Sequence, residues 1–205
     1  MILQSLKIRE KHLEQIRLWR MSEDITKYLF TDTKSTPEDQ KKWYQRIVRD
    51  LSRMDWVINV DGRNVGFGCL YDIDAFHRRG YYIGEQAARG RGIGTAWTFN
   101  ILAYAFTQLN LHKLCGETFE WNDASIKIHE RHGAKIEGVF RQHVWKRGEY
   151  HNVIRMGILR REWEQEVRGK FQYPPVEIEE WEAKKHHVLK EEEVYAAPLS
   201  LDRGY

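Results

Sequence analysis

The run EQAARGRGIGTAWTF, residues 85–99, sets Gly90, Gly92 and Gly94 in alternation with Arg89, Arg91 and Ile93, immediately before an apolar stretch. The chemistry open to such a run is anion binding. Glycines let the backbone approach a ligand, the N–H groups of a first helical turn point at it with the positive end of the helix dipole behind them, and two guanidiniums add charge that suits a pyrophosphate. The same glycines also serve tight strand-to-helix packing, so the pattern alone is not diagnostic. A P-loop would need Gly-Lys-Ser/Thr where this chain has Gly-Ile-Gly-Thr. A dinucleotide fingerprint would need GxGxxG after the first strand of a βαβ unit, whereas this loop lies mid-chain.

A second group stands in NDASIKIHERHG. Asn122 is placed to cap a short helix, and His129 follows it by two helical turns, so both share a face. His129 is a candidate proton donor; its bland reading is a helix-face histidine without a role. Around the strand that precedes the glycine loop, Asp72, Asp74, His77 and Glu85 are candidate bases, each equally readable as a solvated surface charge.

The elements that must position these groups alternate between β and α. LQSLKI (3–8) alternates with period two, and HLEQIRLW (12–19) has helical spacing. Thr36, Pro37 and Asp39 mark a helix start. DWVINV and VGFGCLY flank Asp61-Gly62, a hairpin signal, and YYIGE (81–85) reads as a further strand. An apolar helix is expected from Thr95 to Leu109, then a strand in HKLCGETFE, the short helix closed by Gly133, and a last hairpin turning at KRGE. After Arg161 the chain becomes charge-rich and is broken by Pro174-Pro175. Ile178, Trp181, Val188 and Leu189 there fall on roughly one helical face, which predicts a tail that packs on something.

Composition bounds the rest. At 205 residues the chain is long enough for one domain with a real core. Two cysteines are too few for a disulfide framework, no apolar run is long enough to span a bilayer, and no signal-peptide pattern opens the chain, so a cytoplasmic protein is the expectation. A net charge of +3 with both signs interspersed gives no reason to expect nucleic acid. Eight tryptophans and ten tyrosines suit a ligand cleft or an oligomer contact.

Arg89, Gly92 and Gly94 spell R/Q-x-x-G-x-G/A, and in this the chain resembles the GNAT N-acetyltransferases. The resemblance runs from about residue 3 to residue 160. Asn122, Ser125 and Gly133 match the family's second coenzyme A segment, with His129 where tyrosine often stands and Ala134 replacing phenylalanine. GVFRQHVWKRGEYHNVIRMGIL is similar to the closing strands of the branch that acetylates polyamines and ribosomal-protein N-termini. The resemblance implies an α/β fold with a mixed, mostly antiparallel sheet flanked by helices, forming a domain over 1–161 with a charged helical extension over 162–205.

It also implies direct transfer of acetyl from acetyl-CoA to a primary amine, without metal. The cosubstrate would be held by Ile83, Gly84, Arg89, Gly90, Arg91, Gly92, Ile93, Gly94, Thr95, Asn122 and Ser125, with splayed strands and a bulge near Ile83–Glu85 polarising the thioester carbonyl. His129 would be the acid for the thiolate and Glu85 the base. The N-terminal half and GCLYDIDAFHRRGYY are similar to acetyltransferases of nucleotide-linked aminosugars, which makes Arg20, His77 and Tyr81 substrate ligands and an aminosugar the leading acceptor. Met21 departs from that pattern, where asparagine is usual. Polyamines and protein N-termini are the next acceptors, and a CoA-binding sensor without turnover is the reading from another class. The amine's own basicity matters: near 10.4 it costs roughly 4 kcal/mol to deprotonate at pH 7, against about 1.4 kcal/mol for one near 8. Small amines are the expected partners, with no nucleic acid or membrane, and the tail after Arg161 could mediate a homodimer.

Overall fold

The computed structural model describes residues 1–32, 34–73, 78–83 and 88–196, with the side chains of 78–83 and 190–196 excepted. Among these, eight strands form one sheet: β1 (Leu3–Lys7), β2 (Met54–Val60), β3 (Arg63–Tyr71), β4 (Arg78–Ile83), β5 (Lys113–Phe119), β6 (Lys135–Lys146), β7 (Glu149–Leu159) and β8 (Val176–Ile178). Their order is β6-β7-β5-β4-β3-β2-β1-β8. Only β4–β5 and β1–β8 run parallel; every other neighbour pair is antiparallel. This is the mixed, mostly antiparallel sheet the sequence leads one to expect.

Local chemistry sets the turns. Asp61 and Gly62, at φ 48° and 82°, close the β2–β3 hairpin, and Arg147 and Gly148, at 53° and 88°, close β6–β7. Both are two-residue turns with positive φ at each central residue, whose twist matches that of the strands they join. The Thr36 hydroxyl accepts from the Asp39 amide at 3.2 Å, and the Asp39 carboxylate accepts from the Thr36 amide at 3.0 Å. This capping box starts α3 (Pro37–Arg49) with Pro37 at its first position.

Alternation along the strands divides the protein into layers. One face of the sheet packs against α1 (Leu13–Met21) and α3 through Ile16, Trp19, Ile47, Val57, Phe67 and Cys69. The other carries α4 (Ile93–Thr107) and α5 (Asp123–Arg131) on a larger core that includes Trp56, Leu70, Trp97, Leu102, Leu114 and Trp163. Gly68 is what lets α4 sit close: a Cβ there would meet Trp97 Cζ2 at 2.2 Å. The indole N–H donates to the buried Ser5 hydroxyl at 3.0 Å, fixing the ring over β1 and β3.

The tail departs from a purely helical extension. Ile178 lies on β8, which pairs with β1 in parallel (Leu3↔Val176, Ser5↔Ile178), and Trp181 lies in the connection that follows. Of the four residues expected on one helical face, Val188 and Leu189 are on α6 (Glu182–Ala196). The reason is an open edge: β1 had unpaired backbone groups on its outer side, and a segment leaving Pro174-Pro175 in extended geometry satisfies them. Trp56 donates to the Glu179 carbonyl at 2.9 Å and Trp181 to the Asp55 carbonyl at 3.1 Å. The buried Lys184 ammonium donates to the carbonyls of Ile47 at 2.8 Å and Arg53 at 2.6 Å. Trp163, Val167 and Val188 enter the main core. No helix among the described residues is long and apolar enough to cross a membrane.

Candidate functional site

Among the described residues the sheet opens at one place. β4 is fully registered with β3, and β5 with β7, yet among those residues β4 and β5 are paired only at Arg78↔Cys115. Beyond that pair the two parallel strands part, so a gap opens toward their C-terminal ends, flanked by backbone that no neighbouring strand takes up.

At that end stands the glycine loop. Gly90 and Gly92 have φ of 74° and 77°, and no atom lies within 4 Å of a Cβ built on either. L-residues avoid this conformation, and the open space lets a ligand approach the backbone. Gly92 is the N-cap of α4 and has no side chain to satisfy the first-turn amides, which therefore face outward. The cradle fits a phosphate-bearing cosubstrate by its geometry. α4 begins at Ile93, two residues before the expected Thr95, and ends at Thr107; Gly94 and Thr95 are thus in its first turn rather than in the loop. Ile93 is buried in the core, so what it offers a ligand is its amide. Arg91 is exposed, while Arg89 pairs with Asp24 of α2 (Glu23–Thr26) at 3.3 Å.

On the same face as α4 lies α5. Asn122 caps it, Oδ1 accepting from the Ser125 amide at 3.3 Å, while Nδ2 donates to the Thr118 hydroxyl at 3.0 Å. His129 is buried, and its Nε2 would be 3.2 Å from a Cβ on Gly116. The imidazole therefore rests on β5 one residue past the last β4–β5 pair, where the strands separate. Its close seat depends on Gly116 having no side chain.

The opposite face of β5 carries groups that sequence reasoning missed. Arg155 donates to Glu117 across the β5–β7 ladder at 2.7 Å. Burial opposes its charge, but that carboxylate and the neighbouring Cys115 hold the guanidinium charged more firmly than usual. Phe119 stacks on Trp121 at 4.9 Å and meets Phe30 edge-on at 5.0 Å, and Tyr28 lies 5.7 Å from Trp121. The segment 23–32 thus crosses the open end of the gap. Asp24 ties it to the glycine loop; Glu23 to Arg147 at 3.3 Å and Asp32 to the buried Lys146 at 2.5 Å tie it to the β6–β7 hairpin. The Lys146 ammonium holds the Asp32 carboxyl below its ordinary range. The partners are far apart in the chain, and the only sequence signal was the alternation that puts Glu117 and Phe119 on one face.

Other expected residues fall elsewhere. Arg20 lies over the Trp43 ring at 6.0 Å, packing α1 on α3. Asp74, His77, Gly84 and Glu85 lie outside the described residues; Tyr81 and Ile83 belong to β4, where only the backbone is described. Asp72 stands just after β3 with φ 51°.

Residues 3–135 match the family described as the acetyltransferase (GNAT) domain, and the chain belongs to that family. It is an N-acetyltransferase, so the reading as a sensor without turnover gives way. Spermidine N(1)-acetyltransferase of Escherichia coli K12 is 27% identical over 164 residues, 78% of this chain and 88% of that one. A Bacillus subtilis protein provisionally named as a ribosomal N-acetyltransferase, YdaF, is 30% identical over 126 residues, 60% of this chain and 68% of that one. The crystal structure of Vibrio cholerae spermidine N-acetyltransferase in complex with CoA and spermine superposes with a TM-score of 0.74 at 22% identity, covering 80% of this chain and 98% of that one.

Proposed function

We propose that this enzyme acetylates a primary amine of a polyamine, with acetyl-CoA supplying an activated acyl group on a thiol leaving group. The observation that carries the transfer chemistry is the seat of His129 on Gly116, where β4 and β5 part, on the face that also carries the glycine-capped α4. In this reading the amides of Gly92, Ile93, Gly94 and Thr95, with Arg89 and Arg91, hold the cosubstrate's phosphates. Asn122 and Ser125 border the same ligand at the start of α5. Backbone N–H groups of β4 along the gap polarise the thioester carbonyl. The amine attacks the carbonyl carbon, the C–S bond breaks as the C–N bond forms, and His129 gives a proton to the departing sulfur while the amine's proton leaves to water or to a carboxylate, for which the sequence offers Glu85.

The acceptor class rests on two supports. Relatives named for spermidine span most of this chain. The open end of the gap is bordered by the Asp24 carboxylate and the ring faces of Tyr28, Phe30 and Trp121, groups that suit a polycation. Arg20, read as the ligand of a nucleotide diphosphate, lies over the Trp43 ring at 6.0 Å, between α1 and α3. Thiol release from acetyl-CoA with spermidine, spermine, nucleotide-linked aminosugars and N-terminal peptides tests this. Turnover is expected with the polyamines; turnover confined to the aminosugars or the peptides refutes the assignment.

A further inference from the structure

Asp24 and Arg89 join two parts of the site that bind different substrates. Arg89 is one of the two arginines of the glycine loop, which in the reading above holds the cosubstrate's phosphates. Asp24 is on the segment that crosses the gap on the acceptor's side, and its charge suits a cation. They are 65 residues apart in sequence and meet at 3.3 Å. The Arg89 side chain is 32% exposed and that of Asp24 50%, so both charges reach solvent and can re-aim without being buried. Glu23 and Asp32, the neighbouring carboxylates of this segment, are paired instead with Arg147 and Lys146 of the far hairpin.

We propose that Asp24 is a binding residue for the cationic acceptor, released for that role when the cosubstrate's phosphates take Arg89 from it. This rests on the polyamine reading above for the identity of the acceptor, but not for the exchange itself. An exposed carboxylate pairs weakly with a guanidinium, whereas a phosphate accepts two charge-assisted hydrogen bonds from the same fork. Cosubstrate binding therefore breaks the Asp24–Arg89 pair and leaves Asp24 short of a cation beside the gap. A polyamine ammonium replaces the lost charge. Because binding linkage is reciprocal, each substrate tightens the other by the same factor.

Calorimetric titration of CoA into the wild type, Asp24→Asn, Arg89→Gln and the double variant reads the exchange without any turnover. Asp24→Asn removes a competitor for Arg89, so CoA should bind about two- to fivefold tighter, the worth of an exposed ion pair. The same substitution in the Arg89→Gln background should change nothing. Unchanged or weaker CoA binding in Asp24→Asn, or equal tightening in both backgrounds, overturns the proposal. In a second titration, saturating CoA should tighten spermidine binding to the wild type by the same about two- to fivefold and leave Asp24→Asn unaffected. Equal tightening in the variant overturns Asp24's part. If spermidine binds no form of the enzyme while the CoA titrations come out as expected, the polyamine reading fails, and Asp24's role as an acceptor ligand with it; the exchange at Arg89 stands.

Discussion

Gly68→Ala adds one methyl group at the most tightly filled point between sheet and helix. The new Cβ would lie 2.2, 2.6 and 2.9 Å from Cζ2, Cη2 and Cε2 of Trp97, well inside contact distance. Three movements could relieve this. The indole can swing, which breaks its hydrogen bond to Ser5 and strands two polar groups that are fully buried. Alternatively α4 lifts, opening voids around Ile101 and Leu102, or β3 bends and strains its pairing with β2 and β4. Overpacking of this kind costs about 1–3 kcal/mol and the lost hydrogen bond about 1 kcal/mol more, so a destabilisation of roughly 2–4 kcal/mol is expected. For a domain of this size that corresponds to a melting temperature lower by roughly 5–12 °C. Trp97 is on the second turn of α4, so CoA affinity should fall as the helix start is displaced from the gap. Urea unfolding and CoA titration measure both effects, and a Trp97→Phe background should recover more than half of the stability loss. A cost below about 0.5 kcal/mol, or an equal cost with phenylalanine at 97, refutes the packing account.

Two further outcomes follow from the site and the tail. His129→Phe keeps the ring volume against Gly116 but cannot give up a proton, so kcat should drop about 10²- to 10⁴-fold with CoA affinity held within about twofold. His129→Tyr should restore much of it, and an unimpaired kcat in the phenylalanine variant removes His129 from the chemistry. Burial lowers the Lys184 pKa from 10.5 to about 8. Between those values the unfolded chain keeps the proton that the folded one has lost, so stability should rise as pH increases through that window and be flat in this respect below it. Urea midpoints at pH 7.5 and 9.5 should therefore separate in the wild type more than in Lys184→Met; equal separation would mean that Lys184 titrates normally.

What could be read before folding was whatever depends on neighbours in sequence. The Asp61-Gly62 turn, the Thr36-Pro37 start of α3, the Asn122 cap and the glycines of the loop each need a residue type at a local position, and local pattern names them. The start of α4 was misplaced because Gly94 looks like loop, although a glycine in a first turn costs little once Gly92 has set the cap. Groups brought together over long separations left no trace of their pairing, only the alternation that puts Glu117 and Phe119 on one face. The Glu117–Arg155 pair, the seat of Phe30 on Phe119 and the ion pairs of residues 23–32 have partners tens of residues away. β8 was missed because three residues are too few to show alternation, and what makes them a strand is the bare edge of β1. Lys184 sits in a charge-rich stretch that reads as solvated surface, and only the carbonyls of Ile47 and Arg53 make its burial tolerable.

The pairing of β8 with β1 also gives the fold an order in time. Between Leu3 and its strand partner Val176 lie 172 residues, all of which are made before that partner leaves the ribosome. Until then the outer side of β1 is an uncovered template for other chains, and Trp56, whose indole N–H bonds to Glu179, has no acceptor from the tail. The sheet therefore reaches its closed state only once β8 has been made. Chains cut short before the tail would be expected to carry an adhesive edge next to an otherwise intact catalytic half, and so to be lost to aggregation rather than to a defect in chemistry.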